Sequence, residues 1–209
     1  MGFSALPTAL NFFPDGYLRC ARLKGAGNGA PMIIALAGRR VDAADEKQRR
    51  FPSENVDIVR ERIHAMLLTQ CAVALVGSAA CGADLLALSE AGKLGLRRSV
   101  VLPFGRENFR TTSVTDRPGD WGALYDQQLN DVEKSGDLLV VHEKSDDKAY
   151  AEANHAIVDK ALSIGQELRD RVAAVLVWDG KTRGERDLTE EFGFYARGKS
   201  IPVIEVMTL

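Results

Sequence analysis

Cys71-Ala72-Val73-Ala74-Leu75-Val76-Gly77-Ser78-Ala79-Ala80-Cys81-Gly82-Ala83-Asp84 decides the fold, because an unbroken apolar run here meets a glycine-rich turn. An apolar run of this length, without polar alternation, fits a strand buried on both faces, the usual state in a parallel sheet. Beyond the turn, Leu85, Leu86, Leu88 and Leu94 with alanines between them mark a helix. Gly77 and Gly82 free the backbone at the turn, and the small residues between them let a ligand approach main-chain N–H groups at the helix start. Strand-to-helix turns also need glycine for geometry alone, and G-x-x-x-x-G without a following Lys-Ser/Thr is not a P-loop. Asp84 complements the helix dipole from the first turn but repels a phosphate placed there, so a ribose hydroxyl suits it better.

Strand and helix signals alternate on both sides of this turn. Met32 to Ala37 is a second apolar run, ending at Gly38-Arg39-Arg40. A helix follows from Pro52 and Ser53, with Val56, Val59, Ile63, Met66 and Leu67 at helical spacing. Ser99 to Phe104 predicts a strand, Gly105 to Gly119 a polar loop, and Asp120 a cap for the helix that buries Trp121, Leu124, Leu129 and Val132. Leu138 to His142 predicts a strand, and Ala153, Ile157, Ala161, Ile164 and Leu168 the buried stripe of a long helix. Val172 to Trp178, Leu188 to Arg197 and Ile201 to Val206 complete the series as strand, helix and strand. Such alternation predicts an α/β protein, Rossmann-like and doubly wound, with a mostly parallel sheet and helices on both faces.

In such sheets ligands bind beyond the carboxyl ends of the strands, which selects residues independently of any motif. Asp179, Gly180, Lys181, Thr182, Arg183 and Gly184 combine glycines, cations and a hydroxyl before a helix, the ingredients of a phosphate cradle. A solvated turn has the same composition. Of Arg39 and Arg40, one is expected to face the crevice and the other solvent. Pro103 and Phe104 close the third strand, and Arg106 and Arg110 share a face from which they can close over an anion as a lid. Tyr150 and Asn154, four residues apart on the long helix, offer an aromatic face and an amide to a nucleobase, and His142 stands at a strand exit as a further base contact.

Composition narrows the partners. At 209 residues, with 45% hydrophobic and 27% charged, the chain can bury one large core. A net charge of −2 and a pI near 6.0 supply no basic field for nucleic acid or an anionic membrane. Cys20, Cys71 and Cys81 lack C-x-x-C spacing and read as reduced thiols of a cytoplasmic protein. His64, His142 and His155 form no metal-binding pattern, so neither a metal nor a resident cofactor is expected. No apolar run approaches the roughly 20 residues that span a bilayer, and no secretory signal precedes the first strand. Residues 1–30 read as an extension ending in the flexible stretch Lys24 to Gly29, with Leu10, Phe12 and Phe13 available for an oligomer contact, and 31–209 as one domain.

Three segments in order, Gly77 to Gly95, Leu102-Pro103-Phe104, and Trp178-Asp179-Gly180 through Ile201-Pro202-Val203-Ile204, resemble the SLOG superfamily of Rossmann-like nucleotide-binding proteins. That superfamily includes the LOG phosphoribohydrolases, the Rossmann domain of DprA and ligand-sensing domains of bacterial antiviral systems. The resemblance spans most of Met32 to Val206. It implies a ligand role for Gly77, Ser78, Gly82 and Asp84, and for the loop from Asp179 leading to Thr189. Where LOG enzymes carry P-G-G-x-G-T-x-x-E, this chain reads Gly184-Glu185-Arg186-Asp187-Leu188-Thr189-Glu190-Glu191-Phe192. Thr189 keeps its place, Phe192 replaces the glutamate, and Glu190 and Glu191 are the remaining acid/base candidates, each turned about 100° from that position. The expected function is binding of a nucleotide or nucleotide-derived metabolite by a ligand sensor that reports through self-assembly or a separate effector protein. The alternative is a nucleoside-monophosphate N-glycosidase.

Overall fold

The computed structural model describes residues 30–142, 147–184 and 187–209. The expected extension, with Leu10, Phe12, Phe13 and Cys20, lies outside them except for Ala30. Six strands, β1 (Met32–Gly38), β2 (Ala72–Gly77), β3 (Arg97–Leu102), β4 (Leu138–Val140), β5 (Arg171–Trp178) and β6 (Val203–Met207), form one sheet in the order β4-β3-β2-β1-β5-β6. Every pairing is parallel. The helices are α1 (Val56–Thr69), α2 (Ala83–Lys93), α3 (Arg106–Ser113), α4 (Trp121–Ser135), α5 (Asp147–Leu168) and α6 (Leu188–Gly198). The chain steps from β1 to the β4 edge and then returns to lay β5 on the other side of β1, so the strand order reverses at β1. This is the expected α/β, Rossmann-like architecture, and the reversal opens a crevice where loops leave in opposite directions.

Both faces of the central strands β1, β2 and β5 are buried, which explains why they read as continuous apolar runs. Ile34, Leu36, Leu75, Val100 and Val175 face α1, α2 and α4, while Ile33, Ala35, Val76, Val101 and Leu176 face α5 and α6. On α5, Ala153, Ile157, Ala161 and Ile164 are buried as the stripe requires. Among the described residues no helix is long and apolar enough to cross a membrane.

Three boundaries differ from the sequence reading for local reasons. Cys71 is not the first strand residue: its φ of 50° is left-handed, and it turns the chain from α1 into β2. The expected polar loop from Gly105 to Gly119 contains α3, whose buried face is only Phe109 and Ser113 among arginines and threonines. Asp120 makes no side-chain cap on α4; the entry is fastened instead by Trp121 Nε1–H donating to the Pro118 carbonyl at 2.8 Å.

Candidate functional site

A cavity of about 290 Å3 opens at the carboxyl ends of β1, β2 and β3, beside the reversal of strand order. Leu36 to Arg40 form one wall, Ser78, Ala80 and Asp84 the next, and Pro103, Phe109, Thr112 and Ser113 a third. Tyr150, Ala153, Asn154 and Ile157 of α5 and Arg183, Asp187, Leu188 and Thr189 complete it. Its apolar walls with a few convergent polar groups are the usual make-up of a small-molecule site.

Two glycines bring β1 against the start of α2. A Cβ on Gly38 would stand 2.4 Å from the Ala83 Cβ, so only glycine lets the two elements touch. Gly82 has a φ of 96°, and a Cβ there would meet the Val41 nitrogen at 2.8 Å. Ala83 N–H donates to the Arg39 carbonyl at 3.1 Å across this contact. Gly38 lines the cavity, whereas Gly77 and Gly82 shape the turn from behind and do not.

Asp84 is 7% exposed and lies in the cavity wall. Its Oδ2 accepts from Ala80 N–H at 3.2 Å, and its Oδ1 is buried without a hydrogen-bond partner. Burial pushes the carboxyl up to about 7, against the pull of the Ala80 N–H and Arg40. Ser78 lies beside it in the wall.

The neighbouring wall has the opposite character. Arg39, 3% exposed, donates through Nε to Asp179 Oδ1 at 3.2 Å and through Nη1 and Nη2 to the two carboxylate oxygens of Asp187, each at 2.7 Å. Arg50 donates to Asp179 Oδ2 at 2.9 Å. The Lys181 carbonyl accepts from both arginines, and the Thr182 carbonyl from Arg50. Asp187 also caps α6, accepting from Thr189 N–H at 3.0 Å, Glu190 N–H at 3.3 Å and, before the helix, Arg183 N–H at 2.7 Å. Burial pushes the Asp187 carboxyl up, but Arg39 and these N–H groups outweigh it and hold it below the usual range. The expected phosphate cradle is therefore corrected. Asp179, Gly180, Lys181, Thr182 and Gly184 do not line the cavity, and two of their carbonyls turn toward buried arginines; Arg183 is the part of the loop that does.

Arg39 and Arg40 both line the cavity rather than dividing between crevice and solvent. Arg40 is half-buried at the rim, where it donates to both carboxylate oxygens of Asp116 at 2.9 and 2.8 Å and to the Thr112 carbonyl at 3.2 Å. The expected lid of Arg106 and Arg110 faces away from the cavity: Arg106 pairs with Glu133 at 2.8 Å and Arg110 with Asp126 at 3.0 Å, bracing α3 on α4. Spacing fixed their common face but not the neighbour that face meets. Pro103 lines the cavity, while Phe104 is buried behind it with its ring 5.4 Å from that of Tyr150.

Tyr150 and Asn154 stand in the wall as the spacing predicts. The Tyr150 hydroxyl is 3.1 Å from Ser113 Oγ, and Asn154 Nδ2 donates to the Leu188 carbonyl at 2.9 Å. Thr189 also lines the cavity. His142 does not; its Nε2 lies 2.5 Å from Glu152 Oε2. Glu190 and Glu191 are outside the lining, with Glu191 4.0 Å from His155. Thr112, Ser113 and Asp187 are the polar lining residues that the sequence reading did not select. Asp187 had a usable signal, a carboxylate followed three residues later by Glu190 at the head of an apolar-periodic helix. Among the described residues no group of three His, Cys, Asp or Glu side chains can hold a metal ion.

No protein-family model matches this sequence, and no curated protein matches it. The chain is similar to a solved structure. That structure is DNA processing protein A (DprA) from Streptococcus pneumoniae, 12% identical, with a TM-score of 0.38 over 84% of this chain and 58% of that one. This chain thus matches less than two thirds of that structure's length, and a likeness of this depth assigns neither a site nor a function here.

Proposed function

We propose that the protein binds a nucleotide or nucleotide-derived metabolite in this cavity and acts as a ligand sensor. Asp84 carries the reading. A buried carboxylate with no ion pair and one oxygen unpartnered is costly to the fold, and the cavity beside it is where a ligand supplies what is missing. Ribose hydroxyls are suitable donors, and the site of the carboxyl in the first turn of α2 disfavours a phosphate there. Tyr150 and Asn154 on the opposite side suit a planar base, and Thr189 with Arg183 suits the remaining polar end. Glycosidic hydrolysis by Glu190 or Glu191 is disfavoured because neither lines the cavity. A sensor reports through unequal affinity of two states for its ligand. Arg40 and Asp116, which tie the β1 exit to the segment after α3 at the rim, are the contact that a ligand can loosen or tighten, for reading by a second copy or a separate effector.

Thermal-shift screening of ribonucleosides, nucleotides and cyclic nucleotides, with chromatography of each mixture, tests this reading. A ligand at a hundredfold its Kd stabilises by about 2.7 kcal/mol, which at this chain length raises the Tm by roughly 5–10 °C. Stabilisation with the ligand recovered intact, and lost in Asp84→Ala, supports the sensor. Release of the base identifies a hydrolase instead, and no shift with any compound removes the ligand reading.

A further inference from the structure

The arginine and aspartate side chains of the cavity wall are Arg39, Arg40, Arg183, Asp84 and Asp187. Their states of pairing differ. Arg39 is closed by Asp179 and Asp187, and Arg40 by Asp116. Arg183 has no carboxylate partner within salt-bridge distance among the described residues, although its own N–H is anchored on Asp187. Partial desolvation, then the neighbouring Arg39 and Arg50, push its guanidinium below the ordinary value, while Asp187 and Glu46 pull the other way. A cation in such a position gains from an incoming anion.

The amino end of α6 points the other way. In a helix beginning at a ligand crevice, free N–H groups attract phosphate. Here the Asp187 carboxylate already accepts from Thr189 and Glu190, and it is itself held by Arg39. A phosphate placed there would face a fixed negative charge and find two of the donors taken. Arg39 cannot turn to meet it without leaving Asp187 unpaired in the interior and Asp179 with Arg50 alone.

We infer that the ligand carries one phosphate monoester, held at the cavity mouth by Arg183, and that the amino end of α6 takes no phosphate. This rests on the ligand reading above and narrows it. A guanidinium binds a phosphate monoester through two parallel N–H donors, and Arg183 is, among the described residues, the lining arginine not paired with a carboxylate. Further phosphates find Asp187 on one side and solvent on the other, so they add no affinity.

Isothermal titration of the four ribonucleosides, their 5′-monophosphates and their 5′-triphosphates against the full chain and against Arg183→Ala and Arg183→Lys tests the assignment. For the wild type, the binding monophosphate is expected to exceed its nucleoside by roughly ten- to a hundredfold, as a charge-assisted pair supplies, and the triphosphate to gain nothing more. Arg183→Ala should bring the monophosphate down to the nucleoside's affinity without changing the nucleoside's own, and Arg183→Lys should restore part of the difference. Equal wild-type affinities of nucleoside and monophosphate, a triphosphate that binds tenfold tighter than the monophosphate, or an advantage surviving in Arg183→Ala would each overturn the inference while leaving nucleoside binding intact. Failure of every compound to bind would overturn the ligand reading itself.

Discussion

Two turns meet at the reversal of strand order, equally buried and oppositely satisfied. At the ends of β1 and β5, Arg39, Asp179 and Asp187 are 3%, 5% and 4% exposed, and with Arg50 they form a closed set of two cations and two carboxylates. At the β2–α2 turn, Asp84 is 7% exposed with one oxygen unpartnered. Burial alone therefore does not distinguish scaffold from site. The closed set ties two loops more than a hundred residues apart and fixes the shape of the wall, whereas the open carboxyl has bonding capacity left for something that arrives.

Removing one member of the closed set should have the largest effect. Asp187→Ala takes from Arg39 its two-pronged carboxylate partner, leaving it Asp179, and uncaps α6, so a loss of about 3–5 kcal/mol is expected in urea denaturation. A loss below 1 kcal/mol would mean that the network is not a structural unit. The open turn should respond in the opposite direction. A carboxyl that titrates near 7 when folded, against about 3.8 when unfolded, binds more protons in the folded state between those values. Its contribution to stability therefore falls as pH rises from about 4 to about 7 and is level above. Asp84→Asn removes that slope, so the variant should gain on the wild type by up to about 1.4 kcal/mol per pH unit across the window, measured by denaturation at pH 5, 6, 7 and 8. Parallel pH profiles for the two proteins would show Asp84 to be solvated.

A smaller effect is expected where the two turns touch. Gly82→Ala forces a side chain into a left-handed backbone position against Val41 and Arg39, which should cost about 1–3 kcal/mol and weaken ligand binding by displacing the start of α2. The smallest belongs to Arg110→Ala. Its pair with Asp126 is solvent-screened and faces away from the cavity, so stability should stay close to wild type and ligand affinity should not change. Loss of binding in that variant would return the arginine to the site.

The sheet was legible because its central strands β1, β2 and β5 are buried on both faces and so announce themselves as apolar runs bounded by glycine or a charged exit. Helix α3 was not, since Phe109 is its one buried apolar side chain and its arginines and threonines read as loop. Of the residues that line the cavity, Asp84, Tyr150, Asn154 and Thr189 were named from their places at strand exits and on helices. The pairing of Arg39 and Arg50 with Asp179 and Asp187 could not, because it depends on β5 returning beside β1, a matter of topology and not of spacing. The same lack of tertiary information made the whole Asp179 to Gly184 loop read as a phosphate cradle, when Arg183 is its part that lines the cavity and the Lys181 and Thr182 carbonyls serve buried arginines.

The most direct measurement is the pH titration of the Asp84 side-chain carboxyl by 13C NMR, assigned through Asp84→Asn, in the free protein and with the nucleotide selected by thermal shift. A midpoint near 7 in the free protein, moved by the bound nucleotide, is expected of a buried carboxyl whose missing partner is the ligand. An ordinary midpoint near 3.8 that the nucleotide leaves unchanged would contradict it.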